Sequence, residues 1–134
     1  MIRPSFKDTS NKLNDLKLPG FDMVLGIAEG GVIPAALTAY KLKCLLLIER
    51  VKYRDRFNKP MFETPVIDGE IAIPKGVKRI LLVDDLSKSG KTLKIIKSHL
   101  STFEVKTFVF IGKADYCLFP EITECVHWPW KWKK

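Results

Sequence analysis

The sequence feature that most constrains the fold is an apolar run that ends in two adjacent acids. Residues 79–83 are Arg-Ile-Leu-Leu-Val, and Asp84 and Asp85 follow them. Residues 86–92, Leu-Ser-Lys-Ser-Gly-Lys-Thr, form a short hydroxyl-rich turn that contains glycine. A continuous apolar run of this kind predicts a strand buried on both faces. Helical periodicity resumes at Lys91, so the segment predicts a strand, a turn and a helix in direct succession.

The turn after the acids predicts a phosphate site. The free backbone N–H groups and the positive dipole end at a helix start attract anions, and here they fall within residues 87–92. The two carboxylates beside this turn can accept hydrogen bonds from neighbouring ribose hydroxyls, which suits a sugar phosphate. The residues assigned to this site are Asp84, Asp85, Ser87, Ser89, Gly90, Lys91 and Thr92.

Two other acidic or phosphate-binding motifs do not fit this segment, and one plainer explanation stays open. A Walker A loop needs glycine five residues before Gly90, where Asp85 stands. A response-regulator receiver carries its paired acids near the N-terminus, whereas only about fifty residues follow the pair here. The structural alternative is a capped turn with solvated acids. Adjacent carboxylates at a buried strand end repel each other, however, unless a cation or hydroxyl groups occupy the site.

A second strand, turn and helix unit lies earlier in the chain. Residues 21–28 predict a buried strand, residues 29–31 are Glu-Gly-Gly, and residues 32–43 predict a helix with proline in its first turn. Paired glycines let a ligand approach the backbone closely, and a tight turn that needs positive φ is the structural alternative. This turn is therefore a second candidate binding loop.

The remaining periodicity predicts one α/β domain over residues 1–134, with a mainly parallel sheet flanked by helices. Amphipathic spacing predicts helices over residues 5–18 and 91–102, and apolar runs predict strands over residues 44–51 and 106–111. Ligands of open parallel sheets bind beyond the carboxyl ends of the strands. Three residues that follow such ends are Glu29, Asp84 and Lys113.

A long polar insert separates the second predicted strand from the central one. Residues 52–75 exceed the usual length of a loop in a compact domain, and Arg54, Arg56 and Lys59 lie near the start of the insert. Residues 67–74 contain enough β-forming side chains for a short hairpin strand. A functional lid and a solvated charge run both fit this composition.

Composition restricts the partners and the compartment. The formal net charge of +8 fits a nucleic-acid surface or a site that gathers a highly phosphorylated substrate. Because several lysines crowd the C-terminus and the others are scattered, a nucleic-acid partner is not expected. No apolar run approaches the roughly twenty residues of a membrane span, and the three cysteines lack metal-type spacing. We therefore expect a cytoplasmic protein with no membrane partner, no disulfide and no zinc.

The central segment resembles the phosphoribosyl-pyrophosphate signature of the type I phosphoribosyltransferases: four apolar residues, two acids, an apolar residue and a loop ending in Ser/Thr-Gly-x-Thr. Residues 26–35, Gly-Ile-Ala-Glu-Gly-Gly-Val-Ile-Pro-Ala, resemble the family's pyrophosphate-binding loop. The resemblance implies that Asp84 and Asp85 contact the ribose hydroxyls and hold Mg²⁺, and that residues 87–92 hold the 5-phosphate. The residues that it implies for the pyrophosphate loop are Glu29, Gly30 and Gly31.

The C-terminal part resembles the small xanthine, guanine and hypoxanthine phosphoribosyltransferases. Lys113 matches the lysine that bonds the exocyclic oxygen of a 6-oxopurine, and residues 124–130, Glu-Cys-Val-His-Trp-Pro-Trp, resemble their Pro-Trp ending. The resemblance implies a base pocket over residues 113–134, where Trp128 either stacks on the base or packs in the core. It also implies a lid over residues 52–75 and permits a homodimer.

Three positions depart from the family's pattern. Glu29 stands where relatives carry Arg or Lys, Lys88 where purine enzymes carry an acid that assists at N7, and Cys125 where an aromatic stacks on the base. The resemblance implies a pentosyltransferase that moves ribose 5-phosphate from phosphoribosyl pyrophosphate to a nucleobase, expected to be a purine, in purine salvage. The catalytic residues it implies are Asp84, Asp85 and Lys88. The departures keep open a catalytically weak regulator that binds phosphoribosyl pyrophosphate or a nucleotide.

Overall fold

The computed structural model describes residues 1–52, 66–67 and 70–131 of the chain. Most of the predicted lid, including Arg54, Arg56 and Lys59, lies outside the described residues. The described helices are α1 (Phe6–Asp15), α2 (Val32–Leu42) and α3 (Lys91–Ser98). The described strands are β1 (Met23–Ala28), β2 (Leu45–Lys52), β3 (Val66–Ile67), β4 (Arg79–Ser87), β5 (Glu104–Gly112) and β6 (Tyr116–Cys117).

The strands form one sheet in the order β3-β2-β1-β4-β5-β6. The five strands β2, β1, β4, β5 and β6 run parallel, and β3 pairs antiparallel with the end of β2. The predicted α/β fold with a mainly parallel sheet flanked by helices is thus confirmed. The strand that precedes the two acids is β4, which lies between β1 and β5 at the centre of the sheet.

The two faces of β4 are buried under different elements. Leu81 and Val83 pack in a core cluster with residues of α1, α2 and the C-terminal segment. Ile80 and Leu82 pack in a second cluster with Leu93 and other residues of α3. Because successive side chains of a strand point to opposite faces, the paired acids that end β4 start from opposite sides of the sheet. One begins on the α2 side and the other on the α3 side.

Three predicted boundaries are wrong. Helix α1 ends at Asp15 because Leu16 is extended, with φ −70° and ψ 129°. Helix α3 ends at Ser98, four residues earlier than predicted, with His99 as its C-cap. The hairpin strand predicted over residues 67–74 is described only at residues 67 and 70–74, where Ile67 belongs to β3 and residues 70–74 are not in a strand. Ile71 and Ile73 there pack against the core instead of pairing.

The short edge strand β6 is absent from the sequence prediction. Two residues give no periodicity, and the strand is positioned by Asp115, just before it. The Asp115 carboxylate accepts hydrogen bonds from the backbone N–H and the hydroxyl of Thr107 on β5, at 2.8 and 3.0 Å. This side chain holds the C-terminal segment against the sheet. No helix among the described ranges is long and apolar enough to cross a membrane.

Candidate functional site

The carboxyl ends of the parallel strands meet at one edge of the sheet. In register, Ala28 at the end of β1 pairs with Arg50 of β2, and Ser87 at the end of β4 pairs with Gly112 of β5. The turns that follow these ends therefore lie along the same edge. This topology places all the predicted site residues except Trp128 in turns or strand ends on that edge.

The paired acids lie in the centre of the edge. The Asp85 side chain is 12% exposed, and its backbone N–H donates to Asp84 Oδ1 at 2.8 Å. Burial, followed by the negative charge of Asp85, raises the pKa of Asp84 from 3.8 to about 8. Asp84 therefore keeps its proton at neutral pH in the folded protein unless a cation approaches.

A lysine from the C-terminal segment contacts this pair. Lys131 Nζ lies 3.4 Å from Asp85 Oδ2, and its charge opposes the rise in the pKa of Asp84. In the sequence, Lys131 is one of the several lysines that crowd the C-terminus. No local pattern indicates the contact, because about 45 residues separate the partners in sequence.

The donor set of the pair fits Mg²⁺. Magnesium in phosphate-transfer sites is held by one or two carboxylates, while waters and substrate phosphates complete its octahedron. Asp84 and Asp85 supply such oxygens at one point, and across the described ranges no group of three or more potential ligands exists. The protein thus supplies only part of the coordination sphere, and oxygens of the substrate and of water would complete it.

The glycine turn after β1 approaches the acids closely. A Cβ placed on Gly30 would lie 2.5 Å from Asp85 Oδ1, so a larger residue would displace the carboxylate. A Cβ on Gly31 would lie 2.8 Å from the Val83 carbonyl oxygen of β4. The glycines let this turn pack directly against the end of the central strand.

Glu29, which departs from the family's pattern, is paired with a cation. Arg50 Nη1 donates to Glu29 Oε1 at 2.7 Å. Both side chains are exposed, at 60% for Arg50 and 80% for Glu29, so solvent competes for the pair. The sequence analysis missed Arg50, although its position at the carboxyl end of β2 was a usable signal.

The turn between β4 and α3 has the conformation of a helix start without a side-chain cap. Gly90 is the N-cap, in the left-handed region with φ 78°, and it makes no side-chain capping bond. The Ser89 hydroxyl accepts from the Lys91 N–H at 3.3 Å, and Thr92 lies in the first turn of the helix. Backbone amides at this position are suited to an anion.

A cavity of about 750 Å³ opens beside the acids. Some of the predicted site residues line this cavity. The others lie in the two turns or, in the case of Asp84, at the end of β4. The predicted residues that line the cavity are Asp85, Ser87, Lys88, Lys113 and Trp128. Those that do not are Asp84, Ser89, Gly90, Lys91, Thr92, Glu29, Gly30 and Gly31.

Trp128 is mainly a core residue with one surface on the cavity. It is 3% exposed, stacks on Trp130 with ring centroids 5.1 Å apart, and meets Phe110 edge-on at 5.7 Å. A base could contact its cavity side, but this packing leaves little room for full stacking. Of the two roles expected for Trp128, this geometry favours the packed one.

Lys88 and Lys113 both line the cavity, and each follows one of two paired strand ends. The Lys113 N–H donates to the Ser87 carbonyl oxygen at 2.9 Å, and Gly112 has φ 112°. A Cβ on Gly112 would collide with that same carbonyl oxygen. The β4 and β5 ends therefore touch at a point where only glycine fits, which fixes the two lysine backbones next to each other.

The fold and the site together define a phosphoribosyltransferase domain. Residues 8–133 match the family described as phosphoribosyl transferase domain, and the chain belongs to that family. It is 28% identical over 123 residues to an orotate phosphoribosyltransferase of Staphylothermus marinus. That alignment covers 85% of this chain and 56% of the relative, so the chain spans just over half of that relative's length.

Solved structures of the same fold include purine-using proteins. A purine phosphoribosyltransferase from Pyrococcus horikoshii aligns with a TM-score of 0.73 at 25% identity, over 99% of this chain and 95% of that one. The xanthine-guanine-hypoxanthine phosphoribosyltransferase of Helicobacter pylori aligns with a TM-score of 0.77 at 15% identity, over 96% and 92%. The predicted membership of the type I phosphoribosyltransferases is confirmed.

Proposed function

We propose that this protein is a phosphoribosyltransferase that transfers ribose 5-phosphate from phosphoribosyl pyrophosphate to a nucleobase. The observation that carries the proposal is the position of Asp84 and Asp85 between the glycine turn at residues 29–31 and the helix-start turn at residues 87–92. Relatives named for orotate and for purines both support transfer to a base, and neither decides which base. A cytoplasmic location and a homodimer stay predictions.

Each part of the edge has a binding role in this proposal. Asp84 and Asp85 accept hydrogen bonds from the two ribose hydroxyls, and the backbone amides of residues 87–92 bind the 5-phosphate. The amides of the glycine turn at residues 29–31 face the pyrophosphate. The cavity beside Asp85 receives the base. These roles orient the sugar with its C1 between the pyrophosphate and the base.

The transfer breaks one bond and forms one. The bond between C1 and the pyrophosphate oxygen breaks, its electron pair leaves with the pyrophosphate, and a ring-nitrogen lone pair of the base forms the C1–N bond. A proton on that nitrogen passes to solvent or to the leaving pyrophosphate. Magnesium held by the two carboxylates would supply a Lewis acid to the pyrophosphate oxygens. The protein's cations and turn amides stabilise the remaining charge.

Arg50 is expected to contact the pyrophosphate in place of a cation at position 29. We expect Arg50→Gln to raise the Kd for magnesium pyrophosphate by about tenfold, since a charge-assisted hydrogen bond is lost. Glu29→Gln is the matched variant, because it frees the Arg50 guanidinium and should leave pyrophosphate binding equal or tighter. Isothermal titration calorimetry measures both. Equal weakening in the two variants would contradict this role and indicate that the ion pair only supports the turn.

One observation favours the regulator that the sequence left open. Lys131 already contacts Asp85, so a ligand that needs this carboxylate must displace the lysine. A weakly catalytic binding protein could retain such a contact. The alternative predicts ligand binding without turnover.

Product analysis separates the two functions. The protein is incubated with phosphoribosyl pyrophosphate, magnesium and single nucleobases, and mass spectrometry identifies any mononucleotide formed. The transferase predicts a mononucleotide with at least one base and none without base. Tight binding of phosphoribosyl pyrophosphate with no nucleotide from any base would refute the transferase and support the regulator.

A further inference from the structure

We propose that the base accepted by this site is an anion at neutral pH, a nucleobase with a carboxylate or an acidic ring N–H. The inference rests on the proposed function and narrows its substrate class. The observation that carries it is the presence of three lysines among the residues that line the base cavity. Lys88, Lys113 and Lys131 all line it.

The charge balance of the cavity favours a negative ligand. Its described lining contains two carboxylates, Asp85 and Glu124, against the three lysines. Asp85 is paired with Lys131 at 3.4 Å, and the proposed function directs its carboxylate to the ribose. Lys88 and Lys113 then face the base with only Glu124 to oppose them. A base that brings its own negative charge balances this pair.

The backbone holds the two lysines in place for this role. Ser87 and Gly112 are register partners at the ends of β4 and β5, and Lys88 and Lys113 are the next residues on each strand. The hydrogen bond from the Lys113 N–H to the Ser87 carbonyl oxygen joins these two ends. Both cations therefore start from adjacent points on a rigid edge.

The cavity lining also includes apolar side chains. Ile122, Val126 and Trp128 line the cavity, and Trp128 is 3% exposed. Apolar walls lower the local dielectric, which strengthens hydrogen bonds between an ammonium group and an anionic base. A neutral base can still accept a hydrogen bond from a lysine through an exocyclic oxygen, but it leaves the charges of the two ammonium groups uncompensated.

An anionic base also agrees with the chemistry available at Lys88. When a neutral base forms the C1–N bond, its ring becomes cationic until the N–H proton leaves. A protonated lysine cannot accept that proton and would repel the cationic ring. A base that begins as an anion carries no net charge after the same bond forms. Where the charge is on a carboxylate, the ring N–H proton then leaves to solvent or to pyrophosphate; where the charge is on the ring, that proton has already left to solvent. The described cavity lining is therefore better matched to an anion.

Two pairs of bases test the inference. Orotate and uracil differ by one carboxylate, and xanthine and hypoxanthine differ by one oxo group that makes the xanthine ring acidic. We expect kcat/KM to favour orotate over uracil, or xanthine over hypoxanthine, by about 10–100-fold, the effect of one or two charge-assisted hydrogen bonds. The pair of bases that shows this preference in kcat/KM identifies whether the site binds a carboxylate or a ring anion.

Charge-removing variants test whether the two lysines cause the preference. Lys88→Gln and Lys113→Gln should each lower the anionic-to-neutral ratio of kcat/KM by about tenfold. Lys97→Gln, which removes an exposed lysine of α3 outside the cavity, should leave the ratio unchanged. Lys88 and Lys113 are exposed, so the variants should fold, and thermal denaturation checks this.

The outcomes distinguish this inference from the proposed function. Turnover that is equal or faster with uracil and hypoxanthine would overturn the anionic base and leave the transferase intact. If no base is turned over, titration with the mononucleotides of the two pairs still tests the cavity. Tighter binding of the orotidine than the uridine nucleotide, or of the xanthosine than the inosine nucleotide, supports the inference, and equal binding within both pairs refutes it.

Discussion

Replacing Gly112 with alanine is expected to destabilise the protein by about 3 kcal/mol or more, because two costs add at one position. The residue has φ 112°, which a side chain rarely adopts, and its Cβ would collide with the Ser87 carbonyl oxygen. Relief requires the ends of β4 and β5 to separate, and this would also displace the helix-start turn at residues 87–92. We therefore expect binding of ribose 5-phosphate to fall with stability, as measured by urea unfolding and calorimetry.

Alanine substitutions at two other glycines separate the cost of the positive φ from the cost of the Cβ clash. Gly76 has φ 88° with nothing within 4 Å of an added Cβ, so Gly76→Ala should cost only about 1–2 kcal/mol of backbone strain. Gly20 has open space and no positive φ, so Gly20→Ala should leave unfolding nearly unchanged. If Gly112→Ala unfolds like Gly76→Ala, the close contact between the strand ends is refuted.

Asp84→Asn is expected to stabilise the ligand-free protein in alkaline buffer while weakening sugar binding. The pKa of Asp84 rises from 3.8 to about 8 in the folded state, so between these values the folded protein holds a proton that the unfolded chain has released. The contribution of this group is therefore fully present at low pH and is lost as the pH rises toward about 8. Asparagine removes that loss, and the melting temperature at about pH 8.5 should rise by at least about 3–6 °C, the effect of about 1 kcal/mol in a domain of this size.

The comparison is made between acidic and alkaline buffers without divalent cations. The gap between Asp84→Asn and the parent should be larger at about pH 8.5 than at about pH 5, following the titration of Asp84. Asp15→Asn, which removes an exposed carboxylate at the end of α1, is the control and should show no such trend. If Asp84→Asn is less stable than the parent protein at both pH values, the ionised Asp84 carboxylate stabilises the fold, and this prediction is wrong.

The central part of the fold was predictable from the sequence because its signals are local. The run at residues 79–83, the adjacent acids and the Glu-Gly-Gly turn each identify a strand end without knowledge of distant residues. Strand ends of a parallel sheet share one edge, so the site's location followed from the strands alone. The two-residue strand β6 and the early end of α3 carry no such local signal.

The missed contacts join residues that are distant in the sequence. Arg50 pairs with Glu29 across neighbouring strands, and Lys131 reaches Asp85 from the C-terminal segment. Composition showed an excess of lysine but could not place any lysine in a cavity. The packing of Trp128 against Trp130 and Phe110 likewise depends on how the C-terminal segment folds back on the sheet. Tertiary contacts of this kind become visible only in three dimensions.

The central claim is that the end of β4 and the turn after it hold a phosphoribosyl group. A crystal structure of the protein with ribose 5-phosphate and magnesium tests it most directly. The account predicts the phosphate at the backbone amides of residues 87–92 and the ribose hydroxyls within hydrogen-bond distance of Asp84 and Asp85. A sugar phosphate bound elsewhere, or none at these amides at a concentration that saturates the protein in solution, would contradict it.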